Sequence, residues 1–204
     1  MSMEGTAAYR ACRGPLPGLV ERALRAARAH GFGFSCRPEQ GRLLQVLAAG
    51  ARGRIAETGT GCGVGLAWLA EGAGPDVELV SVERDPVRAR VAAEVFAGLP
   101  RVRVLCADWT AVYEHGPYDL LVLDGGGQAK ADGAADPRLL LAPGGVLVVD
   151  DFTPSRSWPP THGGRPDTAR LHWLAHPALR TVELPLAADL SALVAVRRAD
   201  GEDG

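Results

Sequence analysis

From Arg54 onward, short apolar runs alternate with segments of helical spacing. The runs at 55–58, 77–83, 102–106, 120–124 and 146–150 are apolar nearly throughout, and most end in or beside an acid. Continuous apolar strands are buried on both faces, as in a parallel sheet wrapped by helices. Helical spacing covers 64–71, 86–96 and a stretch within 131–141. Right-handed crossovers then bring the C-terminal ends of the strands to one edge, where such sheets bind ligands. Upstream, 15–30 contains LVERALRAARAH, with apolar positions at helical spacing and arginines opposite; Gly31 and Gly33 end it. A second helix is expected over 35–49, with Ser35 as cap, Pro38 and Glu39 in the first turn, and Leu43, Leu44 and Leu47 as its buried stripe. Residues 1–14 read as poorly ordered. After Asp151 the pattern changes to a loop over 152–165, a helix from Pro166 and Asp167 to about Leu174, and two strands at 180–184 and 192–197. An antiparallel hairpin is expected to complete the sheet.

The chain has 204 residues, 47% of them hydrophobic, which suits one domain with a full core. The expected division is a helical segment over 1–50 and an α/β core over 51–204. A net charge of -2 supplies no electrostatic reason for a nucleic-acid partner. Cys12, Cys36, Cys62 and Cys106 lack paired spacing and read as reduced, mostly buried thiols. Neither an apolar leader nor a run of membrane length is apparent, so a cytoplasmic protein without a membrane partner is expected.

The chemistry concentrates in RIAETGTGCGVGLAWLA, residues 54–70: a strand, a turn with glycines at 59, 61, 63 and 65, and a helix. Such a turn lets a ligand touch the backbone. Glu83 closes the next strand, where a carboxylate can accept both hydroxyls of a ribose. A dinucleotide turn needs glycines at relative positions 1, 3 and 6; here position 6 is Val64 or Leu66. Glu57 would repel a pyrophosphate, whereas it suits the ammonium and sulfonium of S-adenosylmethionine. A phosphate-binding Gly-Lys-Ser/Thr is absent, and Lys130 is the sole lysine.

With AETGTGCG, VSVERD, CADW, YDLLVLDGGG and LLLAPGGVLVVDDF in this order, the chain resembles class I S-adenosylmethionine-dependent methyltransferases, and especially their small-molecule O-methyltransferase (catechol-type) branch. The segment RPEQGRLLQVLAAG is similar to the helix preceding the cofactor site in that branch. The resemblance implies a Rossmann-like, seven-stranded, mostly parallel sheet with helices on both faces, its last strand antiparallel, and an N-terminal helical extension. It implies that Gly59, Thr60, Gly61 and Gly63 line the methionine half of the cofactor, with Glu57 near its ammonium. Glu83, beside Arg84, would hold the ribose. Ala107 and Asp108 would meet the adenine, and Asp124 would border both cofactor and acceptor. Asp124, Asp150 and Asp151 occupy the positions that hold Mg²⁺ or another divalent cation in the metal-dependent branch, which also makes Asp124 and Asp150 catalytic candidates.

One departure from the family pattern stands out. The strand-four acid is followed by Gly125, Gly126, Gly127 and Gln128, not by a lysine or histidine, and Lys130 is displaced. His162, in the loop after strand five, is the alternative base. Trp158 in that loop is placed to stack on an aromatic acceptor or to pin the loop down. The function expected is methyl transfer to a hydroxyl of a small molecule. An N- or macromolecule methyltransferase, or a non-catalytic nucleoside-binding protein, is the alternative. The N-terminal helices offer a face for a homodimer.

Overall fold

A computed structural model describes residues 5–12, 14–124, 129–131, 134–155 and 157–199. Its centre is a seven-stranded sheet: β1 (Arg54–Thr58), β2 (Glu78–Glu83), β3 (Val102–Cys106), β4 (Tyr118–Leu123), β5 (Leu141–Phe152), β6 (Leu179–Ala187) and β7 (Leu190–Arg197). The strand order is β3-β2-β1-β4-β5-β7-β6. The pairs among β1 to β5 are parallel, and β7 runs antiparallel to both β5 and β6. The expected hairpin is therefore present, longer at both ends than the apolar pattern alone suggested. The order reverses between β1 and β4, the switch point at which open α/β sheets bind ligands.

Helices α1 (Gly5–Ala8), α2 (Gly18–Ala29), α3 (Pro38–Ala48), α4 (Val64–Gly72), α5 (Pro86–Val95), α6 (Pro137–Leu140) and α7 (Thr168–Leu174) surround the sheet. In α4 every residue from Val64 to Ala70 is buried. A helix apolar on all sides needs a second cover besides the sheet, and α2 and α3 supply it. Gly41 of α3 sits where a Cβ would run into the Trp68 indole, so the two helices approach closely. The opposite face of the sheet packs Tyr118, Leu121, Leu147, Leu193 and Trp173.

Two expectations at the N-terminus are corrected. Residues 5–12 are packed: Trp68 Nε1 donates to the Tyr9 hydroxyl at 2.8 Å, which donates to the Cys36 carbonyl at 2.8 Å. Residues 1–4 and 13 lie outside the described residues. Ser35 does not cap α3; its hydroxyl is 2.7 Å from the Thr6 hydroxyl, and Arg37 precedes the helix without a side-chain cap. Docking of α1 thus competes for the hydroxyl that the local pattern assigns to a cap. The cysteines are free thiols, with Cys36 and Cys62 buried and Cys106 exposed. Among the described residues no helix is long and apolar enough to cross a membrane.

Candidate active site

The turn after β1 is tied to β2. The Gly59 and Thr60 amides donate to the Val82 carbonyl at 2.8 and 3.2 Å, and Gly63 N–H donates to Thr60 O at 2.8 Å. Gly59, Gly61 and Gly63 have φ of 83°, 54° and 90°, a region glycine enters without strain. A Cβ at Gly65 would lie 2.2 Å from Glu57 Oε1, so a larger residue there would displace the acid. Glu57 is only 2% exposed, and Ser81 Oγ donates to its Oε2 at 2.6 Å. Burial pushes the Glu57 carboxyl up to about 8, with Asp124, Asp150 and Glu83 adding to the rise and the Ser81 hydrogen bond opposing it.

Glu83 is equally enclosed. Its carboxylate accepts from Gly61 N–H at 2.9 Å, Asp85 N–H at 2.8 Å and the Arg88 guanidinium at 3.0 Å. Arg88 stands over the Phe32 ring, 5.6 Å from its centroid, and a Cβ on Gly61 would meet that ring at 2.8 Å. Phe32 and Arg88 together roof the glycine turn. Ala107 N–H donates to the Glu83 carbonyl at 3.1 Å, which places the loop after β3 beside this acid. Asp108 is exposed and accepts from the Thr110 amide at 3.1 Å and hydroxyl at 2.9 Å; these bonds hold its carboxyl below its ordinary value. Arg84 is exposed and contributes to holding the Asp108 carboxyl down.

At the ends of β4 and β5 a second group of acids gathers. Thr58 Oγ1 donates to the Asp124 carbonyl at 3.0 Å, fixing that strand end against β1. Asp150 is 7% exposed, and its Oδ1 accepts from Asp151 N–H at 2.6 Å. Burial, then Asp124, drives the Asp150 carboxyl upward, with Lys130 opposing. Asp151 has φ of 71°, a strained value for a residue with a Cβ, of the kind that collects at functional sites.

Lys130, displaced along the sequence from the family's position, reaches the end of β5: its Nζ donates to the Asp150 carbonyl at 3.0 Å, and the buried Trp173 Nε1 donates to the Lys130 carbonyl at 2.9 Å. Residues 125–128, where the family's basic residue was sought, lie outside the described residues. His162 is not brought to the acids; it lies exposed on a two-stranded ribbon, paired with Arg165. Asp124, Asp150 and Asp151 wall one pocket. Among the described residues no three His, Cys, Asp or Glu side chains converge to hold a metal, and Asp150 turns an oxygen to its neighbour's amide. Trp158 is 77% exposed.

Two pockets share Phe34, Ser35, Cys36 and Asp124 as walls. One runs under Phe32 to Glu57 and the glycine turn. The other runs to Arg37, Gln40, Asp150, Asp151 and Leu190. Gln40 and Phe34 escaped the sequence reading because helical periodicity and a glycine-bounded loop carry no sign of a pocket wall.

Residues 56–152 match the family model described as a methyltransferase domain. Among particular relatives, a Mycobacterium tuberculosis (strain ATCC 25618 / H37Rv) protein named "Probable O-methyltransferase" is 34% identical over 120 residues, 55% of this chain and 54% of that protein. The chain thus spans about half the length of the curated relatives it matches. The crystal structure of an O-methyltransferase from Bacillus cereus in complex with SAH has a TM-score of 0.74 at 22% identity, covering 97% of this chain and 99% of that one. The cofactor-bound protein Rv0187 from MTB has a TM-score of 0.73 at 26% identity, covering 95% and 96%.

Proposed function

We propose that the protein transfers a methyl group from S-adenosylmethionine to a hydroxyl of a small molecule. The observation that carries this reading is the meeting of two pockets at Asp124: one lined by the glycine turn and Glu57, the other by the acids ending β5. S-adenosylmethionine supplies a methyl already activated on sulfur. The chain's task is to seat the two partners in line and to accept a proton. Glu57, buried beside the start of α4, would face the ammonium. Glu83 would take the ribose once Arg88 swings aside, and Ala107 and Asp108 would border the adenine. Lys130 Nζ is the proposed base, since it bonds the carbonyl of Asp150, a residue that walls the acceptor pocket. Phe34 in the pocket wall and the exposed Trp158 favour an aromatic acceptor. Val46, exposed on α3, favours a homodimer through the N-terminal helices.

Release of S-adenosylhomocysteine is to be measured against a panel of hydroxyl acceptors. Lys130→Met is expected to lower kcat by roughly 10²–10⁴-fold, the contribution of a positioned base, and to leave cofactor affinity intact. Glu83→Ala is expected to weaken cofactor binding by roughly 10- to 100-fold, the loss of charge-assisted hydrogen bonds. Full turnover in Lys130→Met would remove it as the base. Tight binding of NAD in place of S-adenosylhomocysteine would overturn the cofactor assignment.

A further inference from the structure

Gln40 is 1% exposed, and neither its Oε1 nor its Nε2 has a hydrogen-bond partner in the protein. Buried amides are normally satisfied, so such a group calls for a specific reason. Gln40 lies in the first turn of α3, an eleven-residue helix with no side-chain cap, and it walls the same pocket as Asp124, Asp150 and Asp151. The pocket wall therefore combines a neutral donor–acceptor pair at an uncapped helix start with Arg37 and a group of carboxyls.

We propose that Gln40 selects the methyl acceptor by pairing both amide atoms with a neutral carboxamide or lactam carried close to the reacting hydroxyl. The proposal rests on the methyl-transfer reading of this site. The chemistry of the wall narrows the class. A carboxylate would satisfy Nε2 but set oxygen against Oε1. A lone hydroxyl would meet one amide atom and leave the other buried without a partner. A cis N–H and C=O meets both, as a glutamine carboxamide meets the paired donor and acceptor on an adenine edge. Sites built around such pairs reject analogues that lack them, because the protein's own groups are then stranded.

The test compares 2-hydroxybenzamide, salicylate and phenol in calorimetry on the full chain loaded with S-adenosylhomocysteine, and in parallel as methyl acceptors. The benzamide is expected to bind roughly ten- to hundredfold more tightly than either analogue. Gln40→Met is expected to abolish that preference while keeping the affinity for S-adenosylhomocysteine and the melting temperature. Should Gln40→Met fold poorly, Gln40→Asn, which withdraws the amide by one methylene, is expected to shrink the preference in the same way. Equal binding of the three compounds by the wild type, or a preference that survives either substitution, overturns the proposal. A Gln40-dependent preference in binding without methylated product upholds the selection and overturns the transfer reading instead.

Discussion

Glu57 shows how a single side chain links folding, pH and ligand. Its carboxyl is raised to about 8, mainly by burial, so the folded protein keeps a proton that the unfolded chain gives up. The contribution is fully present below the unfolded value, near the ordinary 4.5. It is lost as pH rises toward 8, at about 1.4 kcal/mol per pH unit for one group. Urea titrations of the ligand-free protein between pH 5 and 8 should show that decline, and Glu57→Gln should make it shallower, leaving the part due to the buried Asp150. If wild type and Glu57→Gln share one pH profile, the acid is not protonated in the fold. The same proton should leave when an ammonium binds, so S-adenosylhomocysteine affinity should rise across this range in the wild type. The acids were legible from the sequence because each closes an apolar strand. Lys130 was not: its route back to Asp150 depends on Trp173, forty-three positions away, gripping its carbonyl.

Among elements, the helix after β5 and the final hairpin are joined by a charged knot that the apolar pattern cannot reveal. Arg170 of α7, 2% exposed, reaches Asp167 at 3.1 Å, Glu183 of β6 at 2.9 Å and the Thr153 carbonyl at 2.7 Å. It also lies 4.9 Å from the Phe152 ring centroid. The foot of the 152–165 loop is thereby anchored to the sheet. Arg170→Met would strand two carboxylates, and chemical denaturation should show a loss of about 3–5 kcal/mol, the range for breaking a buried ion pair from one side. A loss below 1 kcal/mol would mean that the knot is solvated. Strands were the most legible elements, because continuous apolar runs have few alternatives. Helix starts were less so: Asp85 caps α5 from its own neighbours Val87 and Arg88, whereas Ser35 was claimed by Thr6 from a distant part of the chain.

Taken whole, the molecule places its N-terminal segment, not its sheet, between the two pockets. The sheet topology was legible from the alternation of strands and helices. The lid formed by Phe32, and the partition formed by Phe34, Ser35 and Cys36, were not, since they arise from α2 and α3 folding onto α4. That partition is one short, tied piece of backbone: Thr6 Oγ1 donates to the Phe32 carbonyl at 2.7 Å, and Tyr9 holds Cys36. A piece fastened at both ends shifts as a unit, so lifting Phe32 off Gly61 also resets the wall that Gln40 and Asp150 face. The kinetic consequence is a compulsory order of addition. On the proposed methyl-transfer reading, the methyl donor would enter first, the acceptor would meet a finished surface second, and S-adenosylhomocysteine would leave last. Product-inhibition patterns should accordingly be competitive between S-adenosylhomocysteine and the donor and noncompetitive against the acceptor; a random-order pattern would show that the two halves of the partition move separately.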